Sequence, residues 1–129
     1  MKKTSYKTFI AQVTIGLFKG YSKERISLVE FKSVLDFAQR KIKSESDIVL
    51  SAKVTLCEIV FLGQEEPSIE LQFIQYPKFP QEESVLKKAI VDLTELIMLK
   101  LMHNRVVIVF TDESIMLEQS DTIDPDIQL

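Results

Sequence analysis

The sequence predicts an α+β sandwich, an antiparallel sheet carrying two helices on one of its faces. Three observations predict it. Period-two alternation marks strands near both ends of the chain, and a long β-branched run marks another in its middle. Apolar stripes at helical spacing mark two helices, one after the first strand and one before the fourth. The elements then run β-α-β-β-α-β, the ferredoxin-like arrangement, with a possible short fifth strand. Right-handed crossovers put both helices on the same face.

Residues 8–18 alternate cleanly. Phe9, Ala11, Val13, Ile15 and Leu17 point one way; Ile10, Gln12, Thr14, Gly16 and Phe18 point the other. A basic loop follows at 19–27. Ser27 and Glu30 have capping-box spacing, so a helix is expected from Leu28, with Phe31, Val34, Leu35, Ala38 and Ile42 on its stripe. Residues 48–62 read as one strand whose apolar parity shifts near Cys57 and Glu58, which predicts a bulge. Residues 63–68 read as a hairpin loop, and Ile69, Leu71 and Phe73 as the next strand. Pro77 and Pro80 then break the sheet pattern.

The second helix, expected over 81–103, organises the rest. Leu86, Ala89, Ile90, Leu93, Leu96, Ile97 and Leu101 make its core stripe. Asn104, a residue that tolerates the left-handed conformation, is expected to end it. Val91, Met98, Leu99 and Met102 face away from that stripe and are the candidate interface with a second subunit. Residues 105–110 form a strand apolar on both faces, Asp112 and Glu113 a turn, and residues 114–118 the possible fifth strand.

One domain is expected over 1–118, followed by a flexible acidic C-terminal tail over 119–129. Should the tail dock, Ile123, Ile127 and Leu129 are its available anchors. The helix-free sheet face is mixed, too apolar for water and too polar for a core, which points to a homo-oligomer or a binding platform. In strand order alone the chain resembles the small oligomeric ferredoxin-like proteins, including the PII-like regulators. No residue motif carries that resemblance further.

Charge is divided unevenly. Residues 1–53 hold eleven Lys/Arg against five Asp/Glu, whereas 54–129 hold five against fourteen. The overall charge of −3 argues against a dedicated DNA-binding protein. No uncharged apolar run is long enough to span a bilayer, and the basic N-terminus lacks a clear cleavage site, so a cytoplasmic protein without a membrane role is expected.

Diagnostic chemistry is scarce. His103 and Cys57 are the only residues of their types, which leaves no zinc-type cluster, and no phosphate-loop, dinucleotide or nucleophile-elbow signature occurs. No catalytic residue, metal site or cofactor is therefore assigned. The candidate ligand residues are Lys19, Tyr21, Lys23 and Arg25 in the glycine-flanked first loop, where cations and a phenol suit a small anionic or nucleotide-like group. Tyr76 and Lys78 of the YPKFP segment are the second candidates. The leading expectation is a non-enzymatic oligomeric regulatory or interaction module. The alternative is a small enzyme with a carboxylate and tyrosine site at a subunit boundary.

Overall fold

The computed structural model describes residues 1–127, so Leu129 lies outside the described residues. The elements run β1 Ile10–Gly16, α1 Leu28–Ser46, β2 Lys53–Phe61, β3 Gln64–Ile74, α2 Glu83–Leu101, β4 Arg105–Phe110 and β5 Ser114–Glu118. The strands lie in the order β2-β3-β1-β4-β5, every neighbouring pair antiparallel. This is the ferredoxin-like α+β sandwich with its fifth strand.

Local chemistry sets the start of the first helix. The Ser27 hydroxyl accepts a hydrogen bond from the Glu30 amide at 3.1 Å, so α1 begins at Leu28 as its capping pattern predicts. The helix ends at Asp47 in the left-handed conformation. The core lies between the two helices and the sheet. Ala11, Val13 and Ile15 of β1 meet Ile69, Leu71 and Phe73 of β3 and Val106, Ile108 and Phe110 of β4. Phe31, Leu35, Ala38 and Ile42 close it from α1, and Leu86, Ile90, Leu93, Ile97 and Leu101 from α2.

Several boundaries differ from the sequence reading. The second strand begins at Lys53 rather than at residue 48; Ile48 and Leu50 are buried but precede the ladder. No bulge occurs near Cys57, because β2 and β3 pair in unbroken register from Lys53↔Gln72 to Phe61↔Gln64. The third strand already starts at Gln64, so the hairpin turns at Leu62 and Gly63, both with positive φ. The parity shift has another cause. β1 accompanies β3 only as far as Gly16↔Ser68. Beyond that rung β2 and β3 continue as a two-stranded arm, where Ile59, Val60, Phe61 and Leu62 are all exposed. Where side chains of both parities are exposed, parity has no inside face to report.

The second helix is shorter than expected at both ends. Glu82 precedes it without a side-chain cap bond, and Met102, not Asn104, takes the left-handed closing position at φ 59°. Of the four candidate interface residues, Met98 is a correction: only 3% of it is exposed, and it belongs to this chain's own core. Val91 is half-buried, while Leu99 and Met102 are each 64% exposed. A helical wheel shows which residues share a side, not which side a neighbouring element covers.

Candidate functional site

Polar groups converge at the end of the sheet where β1 stops. There the first loop, the base of the β2–β3 arm and the C-terminus of α2 meet. The loop is pinned rather than free. Gly20, at φ 58°, donates its amide to Leu101 O at 3.2 Å, and a side chain there would crowd the Met102 carbonyl. Ile26 donates to Leu17 O at 2.8 Å, and Leu17 donates to Pro67 O at 2.8 Å. The loop is thereby folded against the arm.

Between loop and arm lies an open cleft of about 570 Å³, lined by Leu17, Arg25, Leu56, Cys57, Glu58, Glu65, Pro67 and Ser68. Leu17, Leu56 and Pro67 supply apolar wall. Arg25, Glu58 and Glu65 all line it, so the cleft offers binding groups for both signs of charge. Burial, and next the Glu70 carboxylate, push the Cys57 thiol up, which keeps it protonated and poorly nucleophilic.

Behind the cleft a second polar cluster surrounds Gly16. The Glu66 residue is exposed, but its carboxyl end is tucked against Gly16. Burial and the nearby Asp124 raise its pKa above the usual carboxylate range, against a smaller opposing effect of Lys23. His103 is buried, and burial holds its imidazole below the usual histidine value, partly offset by the Gly16 backbone.

The sequence-predicted ligand residues are scattered over this geometry. Arg25 alone lines the cleft. Tyr21 donates its hydroxyl to Thr122 O at 3.0 Å and accepts from Asn104 Nδ2 at 3.1 Å. Lys23 lies 5.3 Å from the Phe18 ring centroid and 3.7 Å from Asp126 Oδ2. Lys19 shapes the loop through its backbone, donating to Glu24 O at 2.9 Å and accepting from Ser22 Oγ. Tyr76 and Lys78 follow the other end of β3, beside the start of β1, so one chain does not bring the YPKFP loop to the cleft. There Tyr76 stacks on Phe79 with ring centroids 6.1 Å apart.

Sequence reasoning missed Glu58, Glu65 and Glu66. Residues 63–68 looked like an ordinary polar loop, and no spacing marks a carboxylate on an arm as part of a cleft. Among the described residues no group of three or more His, Cys, Asp or Glu side chains is placed to hold a metal ion, and no helix is long and apolar enough to cross a membrane.

The sequence matches no protein-family model and no curated protein. Its fold, however, matches solved structures. A phage SAM lyase in its apo state superposes with a TM-score of 0.69 at 14% identity, over 89% of this chain and 91% of the other. A phage SAM lyase in complex with S-methyl-5′-thioadenosine gives 0.61 at 13% identity, over 95% of this chain and 98% of the other. These neighbours correct the leading functional expectation. Both are enzymes, which favours the enzyme alternative over a non-enzymatic module, and the second binds a small nucleoside-like ligand. At such identities the likeness itself shows the fold: this chain has the ferredoxin-like α+β fold of the phage SAM lyases.

Proposed function

We propose that this chain is a small enzyme, a lyase acting on a sulfonium nucleoside such as SAM, and that it works as a homo-oligomer. The observation that carries the reading is the fold shared over nearly the whole length of both chains with phage SAM lyase, once with S-methyl-5′-thioadenosine bound. The cleft supports it with suitable chemistry. Leu17, Leu56 and Pro67 suit the apolar faces of a nucleoside. Glu58 and Glu65 attract a cationic substrate, and Arg25 suits the substrate's carboxylate.

Releasing S-methyl-5′-thioadenosine from SAM breaks one carbon–sulfur bond. The electron pair goes to sulfur, which leaves as a neutral thioether. The carbon it leaves gains a bond to the substrate's own carboxylate oxygen, so that the remainder departs as a lactone and no outside proton acceptor is needed. Positive charge at sulfur is therefore lost on the way to the transition state. An apolar wall that replaces water around sulfur favours that loss, while the carboxylates contribute capture and orientation.

The oligomer reading rests on surfaces that one chain leaves open. Val107, Val109, Met116 and Ile74 are exposed on the helix-free sheet face, and Leu99 and Met102 on α2. A second copy packed there is also the means by which Tyr76 and Lys78 would reach a neighbour's cleft.

The test is direct. The purified chain incubated with SAM is expected to release S-methyl-5′-thioadenosine, followed by chromatography, well above a protein-free control. Glu58→Gln with Glu65→Gln is expected to lower kcat/KM by at least about tenfold, and Arg25→Ala to act mainly on KM. Absence of product together with absence of SAM binding in calorimetry would end the reading.

A further inference from the structure

Residues 119–127 leave β5 and cross the start of β4, the first loop and the arm in turn. At the near end the Gln119 amide donates to Asn104 O at 2.9 Å, and its side chain donates to His103 O at 2.7 Å. Asn104 Nδ2 donates to Ser120 O at 3.1 Å and to Thr122 O at 3.0 Å. The Tyr21 hydroxyl of the first loop also donates to Thr122 O, at 3.0 Å. The far end is a tight turn with Asp before Pro, the residues such a turn favours. There the Ile127 amide donates to Asp124 O at 3.1 Å, and the Asp126 amide to Asp124 Oδ1 at 2.9 Å.

The turn presents Asp126 to both walls of the cleft. Its carbonyl accepts from Gln64 Nε2 of the arm at 2.8 Å, and its carboxylate lies 3.7 Å from Lys23 Nζ of the first loop. Gln64 is next to Glu65, which lines the cleft, and successive side chains of a strand point to opposite faces. None of residues 119–127 lines the cleft, so the segment braces the arm from behind. On the other wall, Lys23 stands two positions before Arg25. Arg25 forms a β-bridge with Phe18, whose ring centroid lies 5.3 Å from the Lys23 ammonium.

The arm needs such a hold. β1 leaves it at the Gly16↔Ser68 rung, and the bond from the Leu17 amide to Pro67 O grips only its base. A two-stranded ribbon alone is marginally stable. Gln64 adjoins the turn at Leu62 and Gly63, so a tie there resists swinging of the arm with the longest lever.

We propose that residues 119–127 are a clasp joining the tip of the arm to the first loop, with Asp126 as a positioning residue that fixes the separation of Arg25 and Glu65. What the fixed separation serves rests on the lyase reading. A substrate carrying both a carboxylate and a sulfonium has to meet both walls at once. With the clasp loosened, the substrate must itself draw the walls together, which costs affinity before it costs turnover.

The test uses the full chain with spin labels at Leu62→Cys on the arm and Val29→Cys on α1, both exposed positions, in a Cys57→Ser background. Gln64→Ala with Asp126→Lys removes the arm bond and turns the loop pair into a repulsion. This open variant is expected to broaden the distribution of label distances at least about twofold, with the melting midpoint within about 4 °C of the parent. Exchanging the charges, Lys23→Asp with Asp126→Lys, keeps Gln64 and is expected to recover the narrow distribution. In the unlabelled chain the open variant is expected to raise KM for SAM at least about fivefold, with kcat changed less than about twofold. An unchanged distribution, or loss of the fold in the open variant, overturns the clasp. A charge exchange that stays broad, or a broadened arm with unchanged KM, overturns the role of Asp126. A wild type that neither binds nor converts SAM overturns the lyase reading and the substrate named here, while the label distances still decide the clasp.

Discussion

Glu66 and His103 are displaced in opposite directions by one cause, because burial disfavours whichever form is charged. Their effects on stability therefore oppose each other in acid. His103 binds its proton less readily folded than unfolded, so its contribution is present above its ordinary value of 6.5 and is lost as pH falls from there toward the folded pKa. Glu66 binds its proton more readily when folded. Its contribution is full below its ordinary 4.5 and is lost as pH rises through the folded value. Denaturant midpoints are expected to fall between pH 7 and pH 5.5, and His103→Gln is expected to flatten that fall; an unchanged slope in the variant would assign it to other groups. Deeper in the core, Leu71 is fully buried between the sheet and the helices. Leu71→Ala is expected to cost about 3 kcal/mol in a urea titration, whereas a loss below about 1 kcal/mol would mean that the site collapses on the cavity.

At the scale of the element, α1 shows how far local chemistry reaches. The Ser27 hydroxyl bonded to the Glu30 amide fixes its first turn, and Ser27→Ala is expected to lower stability by about 1 kcal/mol without changing helix content in circular dichroism. α2 lacks such a signal, and its ends shifted accordingly. Glu82 makes no cap bond, and Met102 closes the helix in a conformation that its side chain does not favour. The β2–β3 arm exposes another limit. Alternation locates a strand only where one face is covered, and beyond the Gly16↔Ser68 rung β1 no longer pairs with the arm, whose Ile59, Val60, Phe61 and Leu62 stay exposed.

For the whole molecule, the open question is what meets its uncovered surfaces. Under the oligomer proposal, Val107→Lys with Val109→Lys is expected to split the assembly in sedimentation while leaving the monomer folded, because both side chains stand on the helix-free face. Leu99→Lys with Met102→Lys probes the helix surface in the same way, whereas any change at Met98 would strike the core. A wild type that sediments as a monomer at high concentration would remove the proposal. By itself the sequence determined the order of the elements, the fold class and most of the core, because period, cap and turn residues act over a few positions of chain. Only the tertiary structure decided which of those residues meet. It put Arg25, Glu58 and Glu65 on the walls of one cleft, set Glu66 in the space left by Gly16, buried Met98, and sent the YPKFP loop to the far end of the sheet. The physical reason is that a stripe records that a face is apolar, not what covers it. A carboxylate likewise acquires its role from neighbours brought close by folding, and Gly16, Glu66 and His103 stand far apart along the chain.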